Sequence, residues 1–302
     1  MIPRRAFLAG SVMLSPVVLR AAAGGGKLHV SANTYAWGTY AGRDGKGFQQ
    51  YSDEALAMMA ASGLGGFEPS VGSAGELEGL GPKLQRAGLE MRSIYVGSQL
   101  HEKRLADESI GRIVAIAKAA AGLGTKIVVT NPVPVPGELR GREADARIES
   151  QGEGLDRLGA ALREAGVVLA VHNHDAELRQ GGREFHHLLS VTKAENVKFC
   201  LDAHWVYRGC GDSETALFDV VERYGERVVS LHLRQSRGGK WSETFTGEGD
   251  IDYVRLAKRL RELGRDPLLV LEQCAEGGTP HTMDGTAAHR ASEAEVQRVF
   301  AR

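Results

Sequence analysis

The residues best equipped for chemistry stand where largely apolar runs stop. The run 167–171 breaks off at His172, Asn173, His174 and Asp175, the run 197–201 ends in Asp202, the run 228–231 in His232, and the run 268–271 in Glu272. Side chains alternate along a strand, so His172 and His174 project to the same side if the extended backbone continues that far. Two imidazoles on one side of a strand end suit metal ligation or proton carriage near neutral pH. Mixed imidazole and carboxylate donors suit one divalent cation such as Mn²⁺, Mg²⁺, Co²⁺ or Zn²⁺. Carboxylates are rarely buried without a partner, so Asp202 and Glu272 converging beside histidines call for a cation or shared protons. The bland alternative is a salt-bridged polar cluster in which Arg234 neutralises Asp202 or Glu272.

These residues need elements that bring them together. From Lys27 onward, apolar runs ending in polar residues alternate with helical patterns. Strands are expected at 27–31, 65–68, 89–96, 126–130, 167–172, 197–202, 228–233 and 268–273. Helices are expected at 53–62, 75–86, 109–121, 144–165, 185–191, 214–224, 251–263 and 291–300. Alternation of this kind demands parallel pairing and predicts an α/β fold, a single-domain (β/α)₈ TIM barrel over residues 27–302. The rival, an open doubly wound sheet, lacks its Gly-x-Gly-x-x-Gly fingerprint: Thr34-Tyr35-Ala36-Trp37 follows the first strand instead. Barrel active sites lie at the C-terminal strand ends, which collects Asn33, Tyr35, Glu68, Tyr95, Asn131, His172, His174, Asp202, His204, His232, Arg234, Glu272 and Gln273.

The 302 residues carry a formal net charge of −1, with 42% hydrophobic and 25% charged residues, ordinary for a soluble globular protein. Near-neutral charge leaves no electrostatic footprint for nucleic acid. Residues 1–23 read as a twin-arginine-type export signal: Arg4-Arg5-Ala6-Phe7-Leu8, an apolar stretch to Leu19, and Ala21-Ala22-Ala23 as a small-residue cleavage site. An ordinary secretory signal or an uncleaved anchor is the alternative. The expectation is an exported protein, periplasmic or extracytoplasmic, with no stable membrane association after cleavage. Cys200, Cys210 and Cys274 leave their pairing open, because three is an odd number. With no closely spaced cysteine pair, no thiolate metal site is expected.

Several segments together resemble a known family. They are Val-His-Asn-His-Asp at 171–175, Leu-Asp-Ala-His-Trp at 201–205 with Gly209 to Asp212, Leu-His-Leu-Arg at 231–234, Gly-Glu-Gly-Asp-Ile-Asp at 247–252, and Leu-Glu-Gln at 271–273. Their order and spacing resemble the xylose-isomerase-like TIM barrels, which include sugar isomerases and epimerases, inosose dehydratases and endonuclease IV relatives. The resemblance covers residues 27–302 and is nearest to a branch with His-Asn-His after strand five. It implies one divalent metal held by His172, Asp202, His232 and Glu272. Many relatives carry glutamate where His172 stands, so the two-glutamate proton shuttle of ketose epimerases does not transfer, and the acid/base group is sought among His172, His174 and Glu272. Substrate contacts fall to Glu68 (a structural ion pair being the equal alternative), Arg234, Trp205 and Glu248. The implied activity is a metal-dependent isomerase or epimerase of a keto-sugar or cyclic polyol, through an enediolate. The alternatives are a lyase or dehydratase of a 3-keto-glycoside or inosose, and an exported sugar-binding protein without turnover. The partner expected is a small carbohydrate, export argues against a sugar phosphate, and a homo-oligomer is compatible with the sequence.

Overall fold

The computed structural model describes residues 26–301; the proposed export signal lies outside them. Eight parallel strands form one sheet: β1 Val30–Asn33, β2 Gly66–Glu68, β3 Ser93–Tyr95, β4 Ile127–Thr130, β5 Val168–His172, β6 Val197–Asp202, β7 Val228–Leu233 and β8 Leu268–Leu271. The order β2-β1-β8-β7-β6-β5-β4-β3 leaves β2 and β3 at the ends, and isolated parallel bridges Gly66–Glu90 and Ser70–Tyr95 join them. Backbone bonds from Phe67 N–H to Glu90 O (2.9 Å) and from Tyr95 N–H to Pro69 O (2.9 Å) stitch this seam, so the sheet is a nearly closed barrel. The strands are buried on both faces, which explains why β4 and β5 read as continuous apolar runs.

The helices α1 Thr34–Arg43, α2 Asp53–Ala61, α3 Leu80–Ala87, α4 Lys103–Ala121, α5 Gly141–Glu164, α6 Arg179–Val191, α7 Ala203–Gly209, α8 Glu214–Tyr224, α9 Tyr253–Glu262 and α10 Gly285–Phe300 wrap the sheet. Side-chain caps start many of them: Ser52, Ser213, Asp252 and Asp284 each accept the N–H three residues on. The expected barrel is therefore present, with local corrections. The first strand begins at Val30 rather than Lys27. It runs straight into α1, because Asn33 Oδ1 caps the helix by accepting Ala36 N–H at 3.1 Å. The helix expected at 75–86 is split into a 3₁₀ turn, Ala74–Leu77, and α3, because Gly79 sits at φ +69°. Helix α7 and a short hairpin pairing Ser236–Arg237 with Lys240–Trp241 lie within stretches that read as loops.

Candidate active site

Register decides which side chains meet. Across β6 and β7, Asp202 pairs with His232 and Cys200 with Ser230; an irregularity between Phe199 and Cys200 leaves Val229 as an extra residue on β7. Such a bulge re-aims the residues beyond it, here towards the mouth. Across β5 and β6, His172 pairs with Cys200. Glu272 follows the last residue of β8, where its N–H donates to Leu233 O at 2.9 Å. The outcome is a buried quartet: one donor atom from each of His172, Asp202, His232 and Glu272 lies within 4.8 Å of the others.

Arg234 threads this quartet. Its fully buried guanidinium places Nε 3.0 Å from Asp202 Oδ2 and Nη2 2.7 Å from Glu272 Oε1. His232 turns Nδ1 to Glu272 and places Nε2 2.8 Å from Glu68 Oε1, while Ser93 Oγ donates to Glu68 Oε2 at 2.5 Å. Burial pushes the Asp202 carboxyl up against the opposing pull of Arg234. Burial opposes ionisation of Glu272 as well, yet Arg234 and His232 hold it well below the usual carboxylate range. Burial would lower His232, but Cys200, Glu68 and Glu272 outweigh it and raise it well above the usual imidazole value. His172 is the contrast: burial, then His232 and His174, keep it neutral, and neither of its buried ring nitrogens has a hydrogen-bond partner.

These observations fit a divalent cation. Three carboxylates, Glu68, Asp202 and Glu272, against one guanidinium would leave −2 in a closed space; without an ion, protons favoured on His232 and Asp202 offset that charge, and one divalent ion would take their place. One of the two orphaned nitrogens of His172 lacks a partner that a cation would supply. The Glu68–His232 pair has the carboxylate–histidine form that orients a metal-bound ring from behind.

The model of the xylose isomerase-like TIM barrel family matches residues 56–297. The chain belongs to this family. Inosose dehydratase from Clostridium perfringens (strain 13 / Type A) is 25% identical over 247 residues, covering 73% of this chain and 81% of the relative. A sugar phosphate isomerase/epimerase from Parabacteroides distasonis ATCC 8503 superposes with TM-score 0.69 at 18% identity, over 95% of this chain and 99% of that one. The 3-keto-D-glucoside 4-epimerase from E. coli does so with TM-score 0.63 at 16% identity, over 90% and 100%. Both structures share the fold.

Within this xylose isomerase-like barrel, the expected site residues fall into two groups. His172, Asp202, His232 and Glu272 converge, and His174 adjoins them, half-buried, its ring 4.7 Å from that of His172 and edge-on to it. Trp205 forms one wall, 5.7 Å from the His174 ring and 4.8 Å from the Arg234 guanidinium. Three expected substrate contacts are placed otherwise. Arg234 is enclosed between Asp202 and Glu272, and Glu68 is fully buried on His232 and Ser93, which is its ion-pair alternative. Glu248 is exposed on a loop that packs against α10, where it acts electrostatically on Arg298 rather than on the quartet.

Other participants escaped the reading of the sequence. Asn173 pairs its amide with the Asp202 backbone in both directions, donating to its O and accepting its N–H, each at 3.1 Å. Glu177 accepts the His174 N–H at 2.9 Å and an Asn131 N–H at 2.8 Å, fixing the loop that carries His174. Trp241, on the hairpin, packs 5.7 Å from Trp205, and the Arg208 guanidinium over its ring is itself held by both Glu276 oxygens. The indole N–H groups of Trp205 and Trp241 are buried without a partner, two donors facing no acceptor of the chain. All three cysteines are free. Cys200 stands close to this group although no cysteine spacing pointed to it: its sulfur lies within 4.8 Å of ring nitrogens of His172 and His232. Sequence spacing reveals only vicinal cysteines, whereas this neighbourhood is created across strands.

Proposed function

We propose that the protein enolises a keto-sugar or keto-cyclitol beside a bound divalent cation and then expels the β-hydroxyl as water, making it a lyase of the dehydratase type. A cation held by His172, Asp202, His232 and Glu272 supplies Lewis-acid polarisation of the substrate carbonyl. The chain's own residues do the rest. His174, half-buried and with no protein partner at its ring nitrogens, takes the proton next to the carbonyl. The same imidazolium returns that proton to the departing β-oxygen; a C–H and a C–O bond break, a C=C bond forms, and water leaves. Trp205 and Trp241 offer an apolar wall and two N–H donors to a ring bearing hydroxyls.

The observation carrying this reading is one-sidedness. The two imidazoles without a protein partner stand together at the end of β5, while Glu272 across the site is tied by Arg234 and His232. A proton taken and returned on one side suits elimination, whereas inversion of a carbon needs an acid on the opposite side. Isomerisation is the second reading, because moving a proton between adjacent carbons also uses one side. The arginines nearby, Arg234 and Arg208, are both committed to carboxylates, which supports a substrate without phosphate.

The test is incubation of the Mn²⁺-loaded protein in deuterated water with an inosose, a 3-keto-glucoside and simple ketoses, followed by NMR. The expected product is the dehydrated diketone of the inosose, with the 3-keto-glucoside losing its C1 aglycone as an alcohol by the same elimination, and both are abolished by His174→Ala. A deuterated product of unchanged composition supports isomerisation, and no exchange across the panel overturns enolisation altogether.

A further inference from the structure

Beneath the quartet lies a second set of ligands. Cys200 is the ladder neighbour of His172 on β5 and of Ser230 on β7, so its fully buried side chain shares the barrel interior with theirs. Asp202, two residues further along β6, is the neighbour of His232. The site is therefore built in two levels. The upper one presents carboxylates, from Asp202 and Glu272. The lower one presents a sulfur, and its surroundings are the apolar side chains of Ile127, Val129 and Ala170. His172 and His232 belong to both: their ring nitrogens lie within 4.8 Å of the Cys200 sulfur, just as they do of the two carboxylates.

The two levels differ in the cations they favour. Carboxylate oxygens with imidazole suit Mn²⁺ or Mg²⁺, whereas thiolate with imidazole suits zinc and other thiophilic ions. Imidazole and thiolate are both ordinary zinc ligands, and three of them leave a fourth tetrahedral position open. His172 needs no bond to be broken before it ligates, since neither of its nitrogens is engaged.

We propose that His172, Cys200 and His232 form a deeper binding position for a thiophilic divalent cation, zinc foremost, which competes with the upper position for the two shared imidazoles. Binding there exchanges the sulfur-bound proton for the cation, and the proton leaves to solvent. A cation at this depth draws His172 and His232 away from Asp202 and Glu272, so that zinc and manganese occupancy exclude each other.

The proposal rests on the same two histidines as the proposed function, and spectroscopy separates the two. Metal-free protein is titrated with Co²⁺ and its near-ultraviolet absorption recorded. The expected result is a thiolate-to-cobalt charge-transfer band in the wild type, lost in Cys200→Ser and Cys200→Ala and kept in Cys274→Ser. Zn²⁺ should erase the band at stoichiometric amounts, and Mn²⁺, the weaker competitor for the shared imidazoles, should lower it only in large excess. Circular dichroism shows whether the Cys200 variants fold, and the wild-type spectrum decides even if they do not. Stoichiometric Co²⁺ binding without the band, or a band surviving in a folded Cys200 variant, overturns the deeper position while leaving the upper one standing. Failure of the wild type to bind either Co²⁺ or Mn²⁺ overturns both.

Discussion

Strands β1 to β4 and strands β5 to β8 belong to one sheet, yet they bring different groups to its mouth. The first four are short, with β2 and β3 only three residues each, and close on each other through isolated bridges. Their buried polar residues are mostly neutral, among them Ser31, Asn33, Ser93 and Thr130, with Glu68 as the charged exception. Strands β5 to β7 run for five or six residues, and the second half ends in His172, Asp202, His232, Arg234 and Glu272. The contrast shows a division of labour. The second half holds the converging titratable groups, and the first half contributes a brace, since Glu68 reaches across the barrel to His232. A charge buried among neutral neighbours is stable only because its partner comes from the opposite side.

This comparison can be broken most severely from the second half. Asp202→Ala leaves Arg234 buried beside a single carboxylate, and should cost about 3–5 kcal/mol of stability together with the bound ion. Chemical denaturation and elemental analysis of the purified variant check both, and a variant retaining stoichiometric metal refutes the ligand set.

At the boundary between the halves, Glu184 on α6 accepts the Val135 N–H of the loop after β4. Burial foremost, with Glu177 adding to it, raises its carboxyl to about 7 from an ordinary 4.5. Because the folded state holds the proton more tightly than the unfolded chain, this group's contribution is complete at acid pH and is lost as pH rises from about 4.5 through about 7. Glu184→Gln keeps an acceptor for Val135 without the charge, so it should gain about 2–3 kcal/mol at pH 8 and nothing at pH 4. Melting temperatures across that window measure the slope, and an unchanged pH profile contradicts the assignment.

From the first half, Glu68→Gln should leave the barrel folded and weaken metal binding roughly 10–100-fold, by releasing the ring of His232. Calorimetric titration with Mn²⁺ reads this directly; wild-type affinity would mean that the first half is mere scaffold. Asn173→Ala removes both bonds to the Asp202 backbone and should cost about 1–2 kcal/mol. Glu248→Ala, exposed beside α10, should change stability by less than about 0.5 kcal/mol and leave substrate affinity unaltered, as steady-state kinetics would show.

Much of this was legible in the order of residues. Apolar runs that end in His172, Asp202, His232 and Glu272 identify the strands and the converging ends together, because a barrel strand is buried on both faces and changes character only where it emerges. What stayed open has one cause. Glu68 and Cys200 stand at ordinary strand positions and Arg234 just past the end of β7, and what each one touches depends on stagger between strands that sequence does not record. Arg234 had two readings, a substrate contact and a neutraliser of Asp202 or Glu272, and its enclosure between the two carboxylates at the ends of β6 and β8 matches the second. Asn173 stood within the motif, but an amide gives no sign that it will pair with a neighbouring backbone.

Asp202 was described as a strand end and a partner of Arg234, and its other oxygen caps α7 by accepting the Trp205 N–H at 2.9 Å. Both oxygens of the carboxylate are thereby placed by the fold itself, one bonded to a peptide N–H and one facing a guanidinium. Its orientation is thus established during folding, before any ion arrives. An ion loading there would enter a finished mould, the entropy of aligning this carboxylate having been spent already, and Trp205, the wall against which a substrate would lie, is anchored to the same carboxylate.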